Sequence, residues 1–594
     1  MTALRAEAPA RGLSGVMVLA LALFLPAGAP SWAQTIGPPQ PIYVPNPGGG
    51  QNPGQPSDPP RGQRTGSSDF YGGPVQSKPL GQIDRSGSGL LTAGSGGLPP
   101  EMWQGTDPAL AIQLVGQLPA APPARPLRDL MFRLLATAAT PPAGISGSDL
   151  FIARLRKLAA IGEAEAVNNL LQQSGAAGDE IGLRIVADAL LLAGDTEKPC
   201  RDIAPLARQF PDIYWLKLNI LCQIVAGDQR EAMLSIDLLR ERNPREQNFL
   251  ILADMAAQQQ PGKPATAPDT DALSLTLLRL ARQPMPAALL RNPPPPLLRY
   301  IVANEGLGLA QRLEAAERGE ALAVIDPEVL AKLYGQAAQL PKPPPGFPAD
   351  LLQRAQAASA ADKAPDLLQR AQALTLAFRL AQTRGLFGQM VRANGFKMGE
   401  IPVDQAYAAF AADATRAYLI LGNVTLARRW YALLASNAYD PGYAKLHDWL
   451  YPLVQLGIHG PERTSWDNAL LRRWYAVELE RDKAGAPARA AMMISLLRAV
   501  GEPVEPEELN IALTLSARPG AYLPPPGVIA AMTRAANGHR IAETICYVLI
   551  AMGEQPLARI HPSVINAVTA ALALIGYENV ARATAVEAAL AAGL

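Results

Sequence analysis

The pentapeptide Arg-Arg-Trp-Tyr-Ala occurs twice, at 428–432 and 472–476, and its flanks travel with it: Ala444 with Ala488, Leu453 with Leu497 and Gly457 with Gly501 keep the same 44-residue offset. A chance pentapeptide would not carry its surroundings along, so residues 422–509 read as two copies of one helical-hairpin unit. A chain built from such units grows by stacking neighbours rather than by filling one central core. A second series points the same way. Gly162-Glu163, Gly194-Asp195 and Gly227-Asp228 lie 32 and 33 residues apart. The glycine suits the left-handed position that ends a helix, and the acid can open the next one. A third echo, Gly, three residues, Leu or Val, then Ala-Arg, stands at 422–428, 553–559 and 576–582. The octapeptide Asp-Leu-Leu-Gln-Arg-Ala-Gln-Ala, at 350–357 and 366–373, repeats after one helix length and reads as a local duplication.

Between these landmarks apolar residues fall at helical spacing. Ile213, Leu216, Ile220 and Ile224 share one predicted face, as do Leu367, Ala371, Leu374 and Phe378. Asp326, Pro327 and Glu328 read as a helix cap, a first-turn proline and an acid that suits the dipole. Strand-like alternation bounded by hairpin turns is absent. At 594 residues with 49% apolar content the chain exceeds one ordinary core. The expected fold is all-α, with helical-hairpin repeats forming an α-solenoid behind a disordered Pro/Gly/Ser-rich segment.

The 32- and 33-residue spacing resembles that of tetratricopeptide and related α-solenoid proteins, most clearly over 150–245 and 403–594. No single repeat carries the family's full pattern of Trp, Leu-Gly, Tyr, Ala, Phe and Pro, and Pro205 falls inside a would-be second helix. The resemblance implies proteins or extended peptides as partners, held in a concave groove.

The N-terminus predicts an address. Arg5 and Arg11 precede an apolar run from Leu13 to Leu25, and Pro26 breaks it before Ser31, Trp32 and Ala33. This is the pattern of a secretory signal peptide over 1–33, cleaved after Ala33. The run is short of the roughly 20 apolar residues that span a bilayer. No later segment qualifies either, Val564–Ile575 being the best candidate, so no integral membrane segment is expected in the mature chain. Residues 34–100, with strings such as Pro47-Gly48-Gly49-Gly50, hold too few large apolar residues to offset their ordering entropy and read as a tether. Helical regions are expected at 101–260, 271–400 and 403–594. The chain is thus expected in the periplasm or released from it.

Chemistry is sparse. Cys200 and Cys222 stand eleven residues either side of Pro211, which would bring them level in an antiparallel hairpin. That placement suits a disulfide in an oxidising compartment and equally suits two ordinary buried thiols. His447, His459, His539 and His561 show no ligand spacing, and Glu502, Glu505, Glu507 and Glu508 sit where acids answer a helix dipole. No phosphate loop or serine-nucleophile elbow occurs, and no cofactor is expected. Two readings meet at Arg428, Arg429, Trp430, Tyr431, Arg472, Arg473, Trp474 and Tyr475. They suit a cation–aromatic surface for an anionic glycan or peptide, or, the favoured reading, aromatics packed between helices with arginines in water. Lys+Arg 53 against Asp+Glu 52 gives no electrostatic reason to expect nucleic acid. The resulting expectation is a non-enzymatic scaffold or adaptor binding cell-envelope proteins, with the helix after Gly576 available for self-association. The rival is an envelope enzyme or accessory factor acting on peptidoglycan or exported polysaccharide. It resembles soluble lytic transglycosylases in its helical superstructure, yet no lysozyme-like unit follows residue 509.

Overall fold

A computed structural model describes residues 85–144, 148–175, 178–258, 270–512 and 520–593. The predicted signal peptide and most of the predicted tether lie outside them. The described residues belong to one compact unit, Pro79–Leu594. They are all-α, with two isolated bridges, Leu91 to Thr137 and Tyr522 to Ile560, in place of any strand among them. The first group of helices is α1 (Pro108–Gln117), α2 (Arg125–Ala136), α3 (Ser148–Ala160), α4 (Ala164–Gln173), α5 (Glu180–Leu192), α6 (Ala204–Ala207), α7 (Ile213–Ala226), α8 (Gln229–Arg242) and α9 (Gln247–Gln258). The middle holds α10 (Ala272–Leu280), α11 (Ala287–Arg291), α12 (Pro295–Ala303), α13 (Leu309–Ala321), α14 (Pro327–Ala338), α15 (Ala349–Lys363), α16 (Leu367–Gln382) and α17 (Phe387–Gly399). Then follow α18 (Ala411–Ile420), α19 (Val424–Ser436), α20 (Pro441–Gly457), α21 (Asn468–Arg481), α22 (Ala486–Ala499) and α23 (Pro506–Ala512), and last α24 (Pro526–Asn537), α25 (Ile541–Met552), α26 (Pro562–Leu574) and α27 (Glu578–Ala591).

Consecutive helices pack on one another along most of the chain. The glycine turns fall where the sequence places them: Gly162, Gly194 and Gly227 all have φ between +80° and +92°. They close α3 and α4, α5 and the segment after it, and α7 and α8. The 44-residue repeat resolves into the hairpins α19–α20 and α21–α22, with α19 beginning at Val424 and α21 at Asn468. The octapeptide copies lie on α15 and α16, in different registers: Asp350 is the second residue of α15, whereas Asp366 caps α16 by accepting from the Gln369 amide at 2.8 Å.

A recurring device satisfies the helix C-termini, whose last carbonyls have no partner within the helix. A basic side chain from a neighbouring helix donates to them. Lys157 reaches Leu118 O (2.5 Å), Arg154 reaches Leu135 O (2.8 Å), Arg128 reaches Ile161 O (3.1 Å) and Arg370 reaches Ala361 O (3.2 Å). Burial lowers the pKa of Arg154 to about 10.

Three sequence expectations need correction. Residues 85–100, assigned to the tether, are packed: Leu98 is fully buried, and Leu90 and Leu91 donate backbone bonds to Ala136 O. Their glycines serve close approach rather than freedom. A Cβ on Gly89 would run into the Ala138 backbone, and one on Gly97 would lie 2.8 Å from Thr92 O. On α7 the deepest face is Tyr214, Trp215, Leu218 and Leu221, one residue round from the predicted stripe, of which only Ile220 is fully buried. The reason is that α7 carries large apolar residues all round its axis, so periodicity did not distinguish its faces.

The third correction concerns the end of the array. The helix α27, expected to offer a face to a second copy, is buried within its own chain: Ala581, Thr584, Ala585 and Ala589 are fully covered. It packs on α2, α18, α20 and α26, while α1 and α2 meet α25. Thus the first helices close onto the last. Ala542 donates to Met102 O at 3.0 Å, and the Ala120 amide to Glu554 at 2.7 Å. Glu587 of α27 accepts from the Arg125 amide at 3.0 Å. Arg392 holds buried Glu320 through both carboxylate oxygens (2.6 and 2.9 Å), with Arg125 on the same carboxylate at 3.4 Å. Burial raises the Glu587 pKa, and Arg392 opposes that rise.

Candidate functional site

The two Arg-Arg-Trp-Tyr segments are spent mostly on packing. Trp430 and Trp474 are fully covered and Tyr431 is buried, stacked on His447 with ring centres 4.5 Å apart; Tyr475 is half-buried. Arg428 pairs with Glu462 (2.9 Å), Arg472 with Glu508 (2.6 Å) and Glu505 (3.0 Å), and Arg473 with Asp448 (3.0 Å). Arg429 is exposed. The eight residues therefore assemble no continuous cation–aromatic surface.

The acids at 502–508 are answered by arginines. Glu505 and Glu508 meet Arg472, while buried Glu502 meets Arg463 (2.5 Å) and Arg582 (3.1 Å). That second arginine, on α27, also donates to Leu456 O (3.1 Å) and Val500 O (3.0 Å), which are equivalent positions of the two 44-residue copies. One guanidinium thus closes the C-termini of both repeats. Among the described residues no three His, Cys, Asp or Glu side chains are grouped so as to hold a metal, and no helix is long and apolar enough to cross a membrane.

A cavity forms where the N-terminal repeat series is interrupted. After Gly194 the expected second helix is replaced by a π-helical turn, Pro199–Ile203, followed by the single turn α6. Pro199 and Pro205 lack the amides that a continuous helix there would use. Cys200, in the π turn, is bonded to Cys222 on α7, with Cα atoms 5.2 Å apart. The stunted α6 leaves a cavity of about 560 Å³ over α7, lined by Ala204, Arg208, Phe210, Pro211, Asp212, Ile213, Trp215, Leu216, Asn219, Gln223 and Arg242. Its volume is in the range of small-molecule and peptide pockets.

The floor and rim of this cavity differ in character. Phe210 and Trp215 face each other at 5.4 Å between ring centres, and Trp215 is held by its Nε1 donating to Glu180 at 2.9 Å. Beneath, Tyr214 donates to Asp188 at 2.8 Å, and burial pushes the Asp188 carboxyl up to about 6 despite that bond and nearby Arg184. Asp212 is occupied in capping α7 through the Tyr214 amide, 2.7 Å away. Arg208 and Arg242 are exposed at the rim and have no carboxylate partner among the described residues. Gln223 Oε1 is buried without a hydrogen-bond partner there.

The sequence signal for this place was Pro205 inside a would-be helix together with the cysteine pair. It marked an irregularity, but the cavity depends on which side of α7 the short helix leaves open. From α8 an apolar row leads to the rim: Leu234 (65% exposed) and Leu238 (39%) precede Arg242 at four-residue steps, with Ile251 of α9 (39%) also exposed. Fold and surfaces together define an all-α protein of consecutively packed helices with an arginine-rimmed cavity in its N-terminal half. No protein-family model, curated protein or solved structure matches the chain.

Proposed function

We propose that this chain is a non-enzymatic scaffold or adaptor of the bacterial cell envelope that binds partner proteins through its helical-repeat surface. The observation that carries the reading is the exposed row Leu234 and Leu238 on α8, with Ile251 on α9. Adjacent large apolar side chains in water favour a partner that covers them. The Cys200–Cys222 bond supports an oxidising compartment, where disulfides persist, as does the predicted signal peptide.

An affinity pulldown from periplasm and solubilised envelope tests this, using the mature chain and its Leu234→Ser/Leu238→Ser variant. The expected result is a defined set of envelope proteins held by the parent and lost from the variant. Identical recoveries from both, or none from either, contradict the reading.

A further inference from the structure

We infer that the cavity between α6, α7 and α8 takes the carboxyl-terminal end of a peptide, an inference that rests on the partner being a protein. Arg208 and Arg242 are two cations on one rim, which favours a ligand with a negative group. The lining holds one carboxylate, Asp212, whose Oδ1 accepts from the Tyr214 amide, so the two arginines outnumber it. The Phe210–Trp215 pair, with Ile213 and Leu216, offers an apolar floor.

A chain terminus supplies both a carboxylate for the arginines and a side chain for the floor within one residue. A free phosphate or sulfate would satisfy the arginines but leave the floor unused. The preceding residues have a path outward, because Leu238 and Leu234 continue from Arg242 along α8. Here the disulfide is a brace. It ties the π turn that carries α6 to the residue beside Gln223, so the wall bearing Arg208 and the floor move together.

The test uses the mature, oxidised chain and an equimolar library of N-acetylated tetrapeptides, made once with free carboxyl termini and once as amides. Peptides retained with the protein through size exclusion are identified by mass spectrometry, and affinities of the best are measured by calorimetry. Expected is retention of free acids ending in an aromatic or large aliphatic residue, with their amides about tenfold weaker or more. Arg208→Ala and Arg242→Ala should each weaken them by about tenfold, the scale of one charge-assisted hydrogen bond. Equal retention of the amides, retention governed by internal Asp or Glu, competition by inorganic phosphate alone, or no retention would each overturn the inference. If the library fails while the pulldown still recovers partners dependent on Leu234 and Leu238, this inference falls and the scaffold reading stands.

Discussion

In the C-terminal repeats, hairpins α19–α20 and α21–α22 are complete: each buries its tryptophan, and Arg582 closes both C-termini at carbonyls 44 residues apart. In the N-terminal series the helix after Gly194 is cut short by Pro199 and Pro205, and a disulfide and a cavity stand where packed side chains would be. The difference shows how a repeat array acquires a site. Intact units pack their large side chains on one another, whereas the interrupted unit leaves open space beside α7 and carries a covalent tie.

This contrast can be broken by mutation. Trp430→Ala and Trp474→Ala should each cost roughly 3–5 kcal/mol, the usual cost of emptying a tryptophan site, and should lower the thermal midpoint alike. Unequal losses would mean that the two copies are not equivalent in packing. Arg582→Ala leaves two helix ends and buried Glu502 short of a partner, with Arg463 still holding that carboxylate; about 3–4 kcal/mol is expected. Denaturant unfolding followed by hydrogen exchange should find both α20 and α22 loosened at once. If only one loosens, Arg582 does not serve both repeats.

In the interrupted unit the tie should matter instead. Replacing Cys200 and Cys222 by Ser is expected to cost about 3 kcal/mol, because the bond closes a loop of 22 residues in the unfolded chain. Addition of reductant should lower the parent's thermal midpoint to that of the variant and leave the variant unchanged. A smaller effect, of opposite sign, is expected at Asp188. Its folded pKa, about 6, lies above the unfolded value near 4. The folded state therefore binds the proton more readily, and this group's contribution to stability rises as pH falls through 6 and is complete below about 4. Asp188→Asn should stabilise the protein by up to about 2 kcal/mol at pH 7 and by nothing at pH 4, as read from melting curves at both pH values. Smallest of all is Arg428→Ala, which removes a half-exposed pair with Glu462 and should change stability by less than about 1 kcal/mol.

Much of the local architecture was readable from residue spacing. The glycine turns, the 44-residue hairpins and the buried tryptophans follow from patterns that act within a few turns of chain. Gly457 and Gly501 mark where such reading ends. They occupy equivalent positions, but Gly501 has φ +83°, the left-handed cap, whereas Gly457 remains helical and makes room for neighbours: a Cβ there would meet Leu419 Cδ2 at 2.8 Å and Val586 Cγ2 at 3.0 Å. A repeat preserves the letter while the neighbours decide its use. Residues 85–100 misled for a related reason. Composition counts Gly and Ser as freedom, yet Gly89 and Gly97 are needed because another backbone lies against them. Closure of the first helices onto the last was not legible at all, since it rests on contacts such as Ala120 to Glu554 that no local pattern encodes. The cavity was legible only as a flaw in a helix.

That closure is the central feature of the fold, and hydrogen exchange of the parent chain tests it without any substitution. The amides of Ala120, Arg125 and Ala542 donate across the junction, to Glu554, Glu587 and Met102. A closed array predicts that these three exchange as slowly as the mid-helix amides of α2 and α25. Exchange at the rate of an unstructured peptide, with α2 and α25 still protected, would mean that the ends are apart and the array is open.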